Sequence, residues 1–481
     1  MLARGVSTLK PRAPLLLALL ALLLRLVHTQ SDPSAVSATT TVTNTAAGAM
    51  EVSSEDLGPF YYMYDLPEEY WWRWPNPDTD CSENGYVGHE HSKLSGMGDL
   101  VIPDDGWFLT WHFSLFSSLF NRLKRSHRRT RDPEKASLFF IPYDLGLDGY
   151  INADSCANSR RCTNGMPQRL MEKLGKSKYF QRHGGADHVV MWSLGQYHPW
   201  PHNGCDIFMR DFCAKCAITC YWMDPTKENN RFVSMPFPSG YHWYPGIKNI
   251  PWERNPYKKR DLTAVYIGST QTLNPAHTKI RRAMTTQCEA HKDCHWLKLS
   301  HNSKDTNLAE FLTSYRRSVF CLLPPGDDPA RKAVSDAILS GCIPVIFEVA
   351  TLFNQYPFHI GEQAALDISI GIPGGQVRSG KMQFMDALLA VPPEVIRMKQ
   401  EAIAKYAPRM QYSSPPIELL RNRSDETPWD PPFADGVDAA LDGLFERSRR
   451  VITNQTSGVP NRMQSGKEWG GEYDTVRIKV P

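Results

Sequence analysis

The chain has 481 residues, more than one ordinary domain of about 100–200 residues, so two or more domains are expected. A hydrophobic fraction of 41% and an aromatic fraction of 11% exclude a wholly disordered protein. The formal net charge of only +3 gives no indication of a nucleic-acid binder, and we expect no nucleic-acid partner.

The N-terminus has the features of a secretory signal. Basic residues precede a short apolar run at residues 15–24, which Arg25 interrupts. This pattern predicts a signal peptide or a short signal-anchor within residues 1–30, and the length leaves both open because a bilayer span needs about 20 apolar residues. Residues 31–57, rich in Ser, Thr and Ala, predict a flexible stem.

Eleven cysteines in a secreted chain predict disulfides, and their odd number leaves at least one thiol unpaired within the monomer. Cys288 and Cys294 are close enough along the chain to form a local bridge. Four clustered cysteines also have spacing compatible with a zinc module, although an oxidising lumen favours disulfides there: Cys205, Cys213, Cys216 and Cys220. Sequons at Asn422 and Asn454 predict glycan attachment in the same compartment.

Short apolar strands alternate with helices along most of the remaining chain. The clearest predicted strands cover residues 60–64, 137–142, 188–192, 262–268, 319–323 and 343–347. This alternation predicts an α/β protein with two parallel sheets in tandem and a cleft between them. The predicted domains are an N-terminal domain at 58–253, a C-terminal domain at 254–410, and a closing helix and tail at 411–481.

Apolar residues at helical spacing between Trp107 and His127 predict a core-facing helix. A basic run at residues 124–131 follows its end. Because cations suit a helix C-terminus, we interpret the run as a solvated helix end. The alternative is a landing patch for an acidic glycan or a phosphate.

The segment 318–347 carries the most specific chemical pattern. A buried strand is followed by a Pro-Pro-Gly-Asp-Asp loop and then by a helix predicted to begin near Pro329. Unpaired N–H groups at the start of a helix suit a diphosphate, and Arg331 in the first turn could bind two phosphate oxygens. Asp336 could accept hydrogen bonds from a ribose, and Gly326 permits the turn. The structural alternatives are a surface ion pair for Arg331 and a local cap for Asp336.

Together these motifs resemble the signature of the exostosin-like glycosyltransferases. The Phe-Cys-Leu strand, the glycine loop, the arginine, the acidic residue and the Gly-Cys-Ile-Pro-Val-Ile strand occur in that family's order within 318–347. Further similar elements are Tyr62-Met63-Tyr64-Asp65-Leu66-Pro67, the strand Ala136 to Pro142, Gly185-Ala186-Asp187-His188, and Tyr266-Ile267-Gly268. Ala186 departs from the family's usual arginine.

The resemblance implies a GT-B fold, with two Rossmann-like domains, and a Golgi type II membrane protein held by its N-terminal segment. It also implies a uridine-diphosphate sugar as donor, a glycan or glycoprotein as acceptor, and possible association with another transferase. Arg331 and Asp336 are then expected to bind the donor. Arg281 is expected to be a second phosphate contact, with the adjacent Arg282 as the alternative.

A base for the acceptor hydroxyl is expected in the N-terminal domain, and Asp144, after the second strand, is the first candidate. Its rivals are Asp65, Asp148, His188 and His198. GT-B enzymes stabilise the diphosphate with basic side chains and a helix end, so we expect no metal cofactor. Asp78-Thr79-Asp80 matches a metal-binding pattern of the other major transferase fold, but it lies in a Pro-Asn-Pro loop.

Two other functions remain open from the sequence. One is a catalytically inactive partner subunit that keeps the fold without turnover. The other is a secreted carbohydrate-binding protein that uses the aromatic rings of Tyr70-Trp71-Trp72-Arg73-Trp74, although such rings near a strand are more often core residues.

Overall fold

The computed structural model describes residues 59–67, 97–110, 114–146, 165–193, 205–221, 231–250, 252, 260–298, 308–327, 330–353, 355–422 and 424–453. These residues belong to one compact unit, Ser54–Pro481. The predicted signal segment at 1–30 and stem at 31–57 lie outside the described residues. Within the described ranges, no helix has the length and the apolar character needed to cross a membrane.

The first sheet has six strands, and every neighbouring pair is parallel. Across the sheet the order is β4-β1-β5-β6-β7-β8. The strands are β1 (Phe60–Met63), β4 (Arg129–Thr130), β5 (Ala136–Asp144), β6 (His188–Met191), β7 (Ala217–Cys220) and β8 (Phe232–Ser234). A separate antiparallel hairpin consists of β2 (Leu100–Ile102) and β3 (Trp107–Phe108).

Both faces of the first sheet are covered, as parallel sheets require. Along β5, Leu138 and Phe140 point to one face, and Phe139 and Ile141 point to the other. One face packs against helices α1 (Leu115–Leu123) and α13 (Gly436–Ile452). The other face packs against α2 (Met166–Gly175), α3 (Lys178–His183), the short helix α4 (Cys205–Ile207) and the π-helix Phe208–Phe212.

The second sheet has five parallel strands in the order β10-β9-β11-β12-β13. The central strand β11 pairs with both neighbours, since Phe320 is opposite Ala264 on one side and Ile343 on the other. The strands are β9 (Leu262–Gly268), β10 (Cys294–Lys298), β11 (Ser318–Leu323), β12 (Ile343–Ile346) and β13 (Ile370–Gly371). Two parallel α/β sheets in one chain confirm the predicted GT-B fold class.

Helices connect and cover the second sheet. The first of them starts where the sequence predicts, because the Asn274 side chain accepts a hydrogen bond from the Ala276 N–H and Pro275 occupies the first helical position. The helices are α5 (Pro275–Glu289), α6 (Leu308–Arg317), α7 (Lys332–Leu339), α8 (Gly361–Ile368), α9 (Gly374–Arg378), α10 (Phe384–Leu389) and α11 (Pro393–Tyr406). A further helix, α12 (Ile417–Arg421), packs against the hairpin of β2 and β3.

The helical spacing between Trp107 and His127 overestimates the helix. Among the described residues there, Leu115–Leu123 is α-helical, while Trp107 and Phe108 belong to the hairpin. Phe108 pairs with Leu100 across the hairpin, and this tertiary pairing outweighs the local periodicity. The predicted helix over 107–127 is therefore wrong at its start, where the hairpin lies.

The C-terminal strap, residues 424–453, contains α13 and covers the end of α1. At its centre the fully buried guanidinium of Arg122 contacts Asp430 through Nη1 at 2.6 Å and Asp435 through Nε at 3.2 Å. Its Nη2 lies 3.2 Å from Asp438. Burial opposes the positive charge, but these three carboxylates outweigh it and raise the pKa of Arg122 above its usual range.

The basic run at 124–131 is part of the same interface. Lys124, Arg125 and Ser126 are buried, and Arg128 pairs with Asp442 of the strap at 3.0 Å. The interpretation as a solvated helix end is thus wrong for the start of the run. The sequence could not show this, because the acidic partners lie about 300 positions further along the chain.

Disulfides occur at three described pairs: Cys213–Cys216, Cys288–Cys294 and Cys321–Cys342. The predicted bridge between Cys288 and Cys294 is confirmed. The third bridge joins β11 to the start of β12, which are neighbouring strands, and the sequence analysis missed it because its cysteines are 21 residues apart.

Candidate active site

Two loops meet at the carboxyl edge of the second sheet. The chain passes from β9 to β10 on one side and returns to β11 on the other side of β9, so the strand order reverses between β9 and β11. Ligands of open parallel sheets bind outside the carboxyl ends of the strands at such a point. We call the two loops there, residues 269–274 and 324–327, the switch-point edge.

Arg281 ties these two loops together. It lies on α5, and its side chain is only 4% exposed. Its Nε donates to the carbonyl oxygen of Pro325 at 2.8 Å, while its Nη1 donates to the carbonyl oxygens of Ser269 at 3.0 Å and Gln271 at 3.3 Å. The fixed fork of guanidinium N–H groups allows one side chain to serve both loops.

The described partners of Arg281 do not carry a negative charge. Among the described residues it has no hydrogen bond or ion pair with a carboxylate, since its partners are backbone carbonyls. Burial lowers the pKa of Arg281, and the more distant Tyr266 and Asp327 act in the opposite direction. Because a guanidinium stays protonated in proteins, the edge contains a buried positive charge that suits an anionic ligand.

His277 is a second buried basic group at this edge, and the sequence analysis did not single it out. Its Nδ1 lies 2.6 Å from the carbonyl oxygen of Gly326, and its Nε2 lies 3.3 Å from Glu348, which follows β12. Burial opposes the imidazolium, but Glu348 and the Gly326 carbonyl outweigh it and raise the pKa of His277. One turn separates His277 from Arg281 on α5, and this i, i+4 spacing was the signal available in the sequence.

Arg331 contacts the same loop, but from a different position than predicted. Helix α7 begins at Lys332, and Arg331 is its N-cap residue with an extended backbone, so it does not lie in the first turn. Its Nη1 donates to the carbonyl oxygen of Pro324 at 3.1 Å. The helix therefore starts three residues later than its predicted start near Pro329.

Asp336 is held inside the fold by two side chains. It accepts a hydrogen bond from Ser239 Oγ at 2.5 Å and forms an i, i+4 ion pair with Lys332 at 2.9 Å. The Nζ of Lys332 also lies 5.6 Å from the ring centre of Trp107. The ribose contact of Asp336 stays a prediction, and its described contacts lie outside the loop that Arg331 touches.

The structure thus brings three of the four predicted donor residues to one loop. Arg281 and Arg331 donate to Pro325 and Pro324, and Gly326 follows directly and accepts from His277. This arrangement places two guanidinium groups and an imidazole around a short stretch of backbone. Such a set of donors is suited to the two phosphates of a nucleotide sugar.

Asp144 lies at the equivalent place in the first sheet. The order β4-β1-β5 reverses at β1, and Asp144 is the last residue of β5 at the carboxyl edge. It is buried, and its Oδ1 accepts a hydrogen bond from the Ser193 N–H at 3.2 Å. Ser193 Oγ in turn accepts from the Phe116 N–H at the start of α1, so Asp144 helps to position that helix. Its role as a base stays a prediction.

The rival bases differ in their surroundings. His188 is fully buried between Asp187 and Tyr64, with its Nδ1 at 2.7 Å and its Nε2 at 2.9 Å from them. Asp65 is exposed after β1. Asp148 and His198 lie outside the described residues, as does the aromatic segment from Tyr70 to Trp74.

A metal site would need several side chains that can act as ligands to lie close together. In the part of the chain that the structure describes, no group of three or more His, Cys, Asp or Glu residues is placed to hold an ion. The predicted alternative at Asp78 and Asp80 lies outside this part. In the cluster considered for zinc, Cys213 and Cys216 form a disulfide with each other, and Cys205 is also disulfide-bonded.

Two parallel α/β sheets with a buried basic site at the carboxyl edge of the second define a GT-B-type glycosyltransferase. The family model described as the Exostosin GT47 domain matches residues 61–370. The chain therefore belongs to the exostosin GT47 family of glycosyltransferases, and the resemblance deduced from its motifs is confirmed.

Several proteins of Arabidopsis thaliana that are similar to this chain are named as transferases that act on xyloglucan. The chain is 27% identical to "Probable xyloglucan galactosyltransferase GT20" over 82% of this chain and 68% of that protein. It is 24% identical to "Xyloglucan-specific galacturonosyltransferase 1", over 82% of this chain and 58% of that protein. With "Xyloglucan galactosyltransferase MUR3" the identity is 24%, over 83% of this chain and 64% of that protein.

Solved structures are only distantly similar. The pneumococcal O-GlcNAc transferase GtfA in complex with UDP and GlcNAc has a TM-score of 0.28 and 9% identity. The likeness covers 53% of this chain and 57% of that one, and a score of this size supports no argument about the site.

Proposed function

We propose that this glycosyltransferase moves a sugar from a uridine-diphosphate sugar to a carbohydrate of the xyloglucan type in the Golgi lumen, with its N-terminal segment in the membrane. The observation that supports it most is the buried Arg281, whose charge faces backbone carbonyls at the switch-point edge. The names of the relatives suggest galactose and galacturonate as the first sugars to test.

The proposed mechanism uses the charge at this edge. Breaking the bond between sugar and diphosphate develops negative charge on the leaving phosphate oxygen. Arg281 and Arg331, already positioned by the carbonyls of Pro325 and Pro324, stabilise that charge without rearranging. A carboxylate of the N-terminal domain, with Asp144 as the first candidate, accepts the proton of the acceptor hydroxyl.

The test uses the full chain purified in detergent. It is incubated with a panel of nucleotide sugars and xyloglucan oligosaccharides, with and without EDTA, and products are identified by mass spectrometry. We expect one uridine-diphosphate sugar to be transferred, activity to persist in EDTA, and Arg331→Ala to reduce transfer. An exposed arginine of α6, Arg317→Ala, is the matched control because it pairs only with Asp261 at the far end of β9.

Other outcomes would favour the two alternatives. If folded protein binds neither uridine diphosphate nor any nucleotide sugar, the proposal fails and an inactive partner subunit is indicated. If the protein binds oligosaccharides and is found cleaved and secreted, a carbohydrate-binding role replaces it. If activity requires a divalent cation, the metal-independent mechanism is wrong while the transferase function stands.

A further inference from the structure

His277 connects three segments at the switch-point edge. It lies on α5, after β9, and its ring reaches Gly326 in the loop after β11 and Glu348 after β12. The side chain is 7% exposed, so these contacts form in a site that is largely shielded from water. The Gly326 contact, at 2.6 Å, is shorter than any contact that Arg281 makes with the two loops.

We propose that His277 is a positioning residue of the donor site, and that its Nδ1–H holds the loop 324–327 in the shape that receives the donor diphosphate. The inference rests on the transferase function proposed above. Arg281 and Arg331 also bond to this loop, so a shift of Gly326 would move their carbonyl partners at Pro325 and Pro324 as well.

The contact with Gly326 is available to His277 in both of its charge states. When the ring is neutral, Nδ1 donates to Gly326 and Nε2 accepts from the Asn274 amide, which lies 3.2 Å away. The Asn274 oxygen is already used as the cap of α5, so its NH₂ group faces the ring. When the ring is protonated, Nε2 donates instead toward Glu348.

Protonation changes the charge at the edge without releasing the loop. Among the described residues, the charged groups that act on the ring are Glu348 after β12 and Arg281 on α5. Asp327, in the same loop as Gly326, accepts a hydrogen bond from the Leu273 N–H at 2.7 Å. Glu348 and the Gly326 carbonyl favour the imidazolium and raise the pKa of His277. Donor binding should therefore be tightest below that pKa and weaken as the pH rises through it.

The experiment separates the two ring nitrogens in the full-length enzyme. An asparagine amide at position 277 reaches about as far as Nδ1, whereas a glutamine amide reaches about as far as Nε2. We expect His277→Ala and His277→Gln to raise the donor KM about tenfold, with kcat changed less, and His277→Asn to recover most of the loss. The acceptor KM should not change.

Two further variants test the charge. In the wild type, the donor KM should rise as the pH passes through the pKa of His277. Glu348→Gln preserves the shape of the side chain but removes its negative charge, so this rise should occur at lower pH. His277→Asn should abolish that rise altogether. The control is His295→Ala, because His295 is exposed on the edge strand β10, and this variant should retain the wild-type KM and pH profile.

The results distinguish this inference from the function on which it rests. If wild-type protein transfers no sugar, the proposed function fails first. If wild-type protein is active and His277→Ala has the wild-type donor KM, the inference is overturned. It is also overturned if all three His277 variants lower the melting temperature and the active fraction equally, with donor KM and pH profile unchanged, because His277 would then support only folding.

Discussion

The switch-point edge and the C-terminal strap bury arginines in opposite ways. Arg281 at the edge is 4% exposed and donates to three backbone carbonyls. Arg122 under the strap is 0% exposed and contacts three carboxylates, those of Asp430, Asp435 and Asp438. The two side chains are almost equally buried, but among the described residues only Arg122 contacts carboxylates.

The difference follows from the kind of oxygen atom that each guanidinium meets. Carbonyl oxygens fix the position of Arg281 but carry only partial charge, so the site remains positive. The carboxylates around Arg122 exceed its charge, and burial together with Asp435 raises the pKa of Asp438 to about 7. Among the described residues, Arg281 therefore has neutral partners, whereas charged partners make Arg122 the centre of a structural cluster.

The largest effect is expected when the strap loses its central cation. Arg122→Met leaves the buried Asp435 without its ion-pair partner, and breaking such a pair typically costs about 3–5 kcal/mol. We expect the midpoint of chemical unfolding to fall accordingly, while the donor KM of the protein that remains folded is unchanged. Circular dichroism and donor kinetics on the same preparation measure both quantities.

A rescue variant sharpens this prediction. Adding Asp430→Asn and Asp438→Asn to Arg122→Met removes two of the negative charges left behind, so part of the lost stability should return. If Arg122→Met lowers the unfolding midpoint no more than an exposed substitution such as Arg282→Met, the cluster contributes little and the contrast between the two regions is wrong.

The second largest effect is expected at the switch-point edge, where substituting Arg281 should reduce activity more than stability. Arg281→Met should lower kcat/KM for the donor about 100-fold, the usual effect of removing one preorganised donor to developing negative charge. Arg281→Lys keeps the charge but cannot reach both loops, so an intermediate loss is expected. Steady-state kinetics with donor varied at saturating acceptor gives the values.

Arg282 is the matched comparison, because it follows Arg281 on the same helix and is exposed. We expect Arg282→Met to keep wild-type kinetics. The opposite result, with Arg282→Met inactive and Arg281→Met active, would reassign the phosphate contact to the alternative arginine and remove the basis of the comparison.

Much of the second sheet could be predicted from the sequence. The strand Leu262–Gly268 and the helix Pro275–Glu289 have the predicted bounds, because a β-branched apolar strand and a Pro start after an Asn cap are local signals. Helix α7 starts three residues later than the sequence predicts, since Arg331 has an extended backbone and is its N-cap residue. The donor loop itself was identified, but its contact with His277 was not.

Long-range partners explain most of what the sequence did not reveal. The basic run at 124–131 suggested a surface, whereas its start is buried and its partners come from the other end of the chain, with Arg125 donating to the Leu419 carbonyl and Arg128 pairing with Asp442. These contacts are not visible in local periodicity, because they depend on how distant segments pack.

The smallest effect tests whether the strap places more negative charge around Arg122 than stability requires. Since the pKa of Asp438 is raised from 3.8 to about 7, its contribution to stability is full below about pH 4 and is lost as the pH rises through 7. At pH 8 the free energy of unfolding of Asp438→Asn should therefore exceed that of the wild type by up to about 1 kcal/mol. This difference should become smaller as the pH falls toward 4.

Asp435→Asn provides the contrast within the same cluster, because Asp435 accepts hydrogen bonds from the Ser413 and Val437 N–H groups at 2.8 Å and also pairs with Arg122. Its charge is matched by donors on every side, so the same chemical change should destabilise the protein at all pH values. Urea titrations from pH 4 to pH 8 compare the two variants. If Asp438→Asn lowers the free energy of unfolding as much as Asp435→Asn throughout that range, all three carboxylates are needed. The number of negative charges around Arg122 would then matter more than the positions of its hydrogen-bond partners.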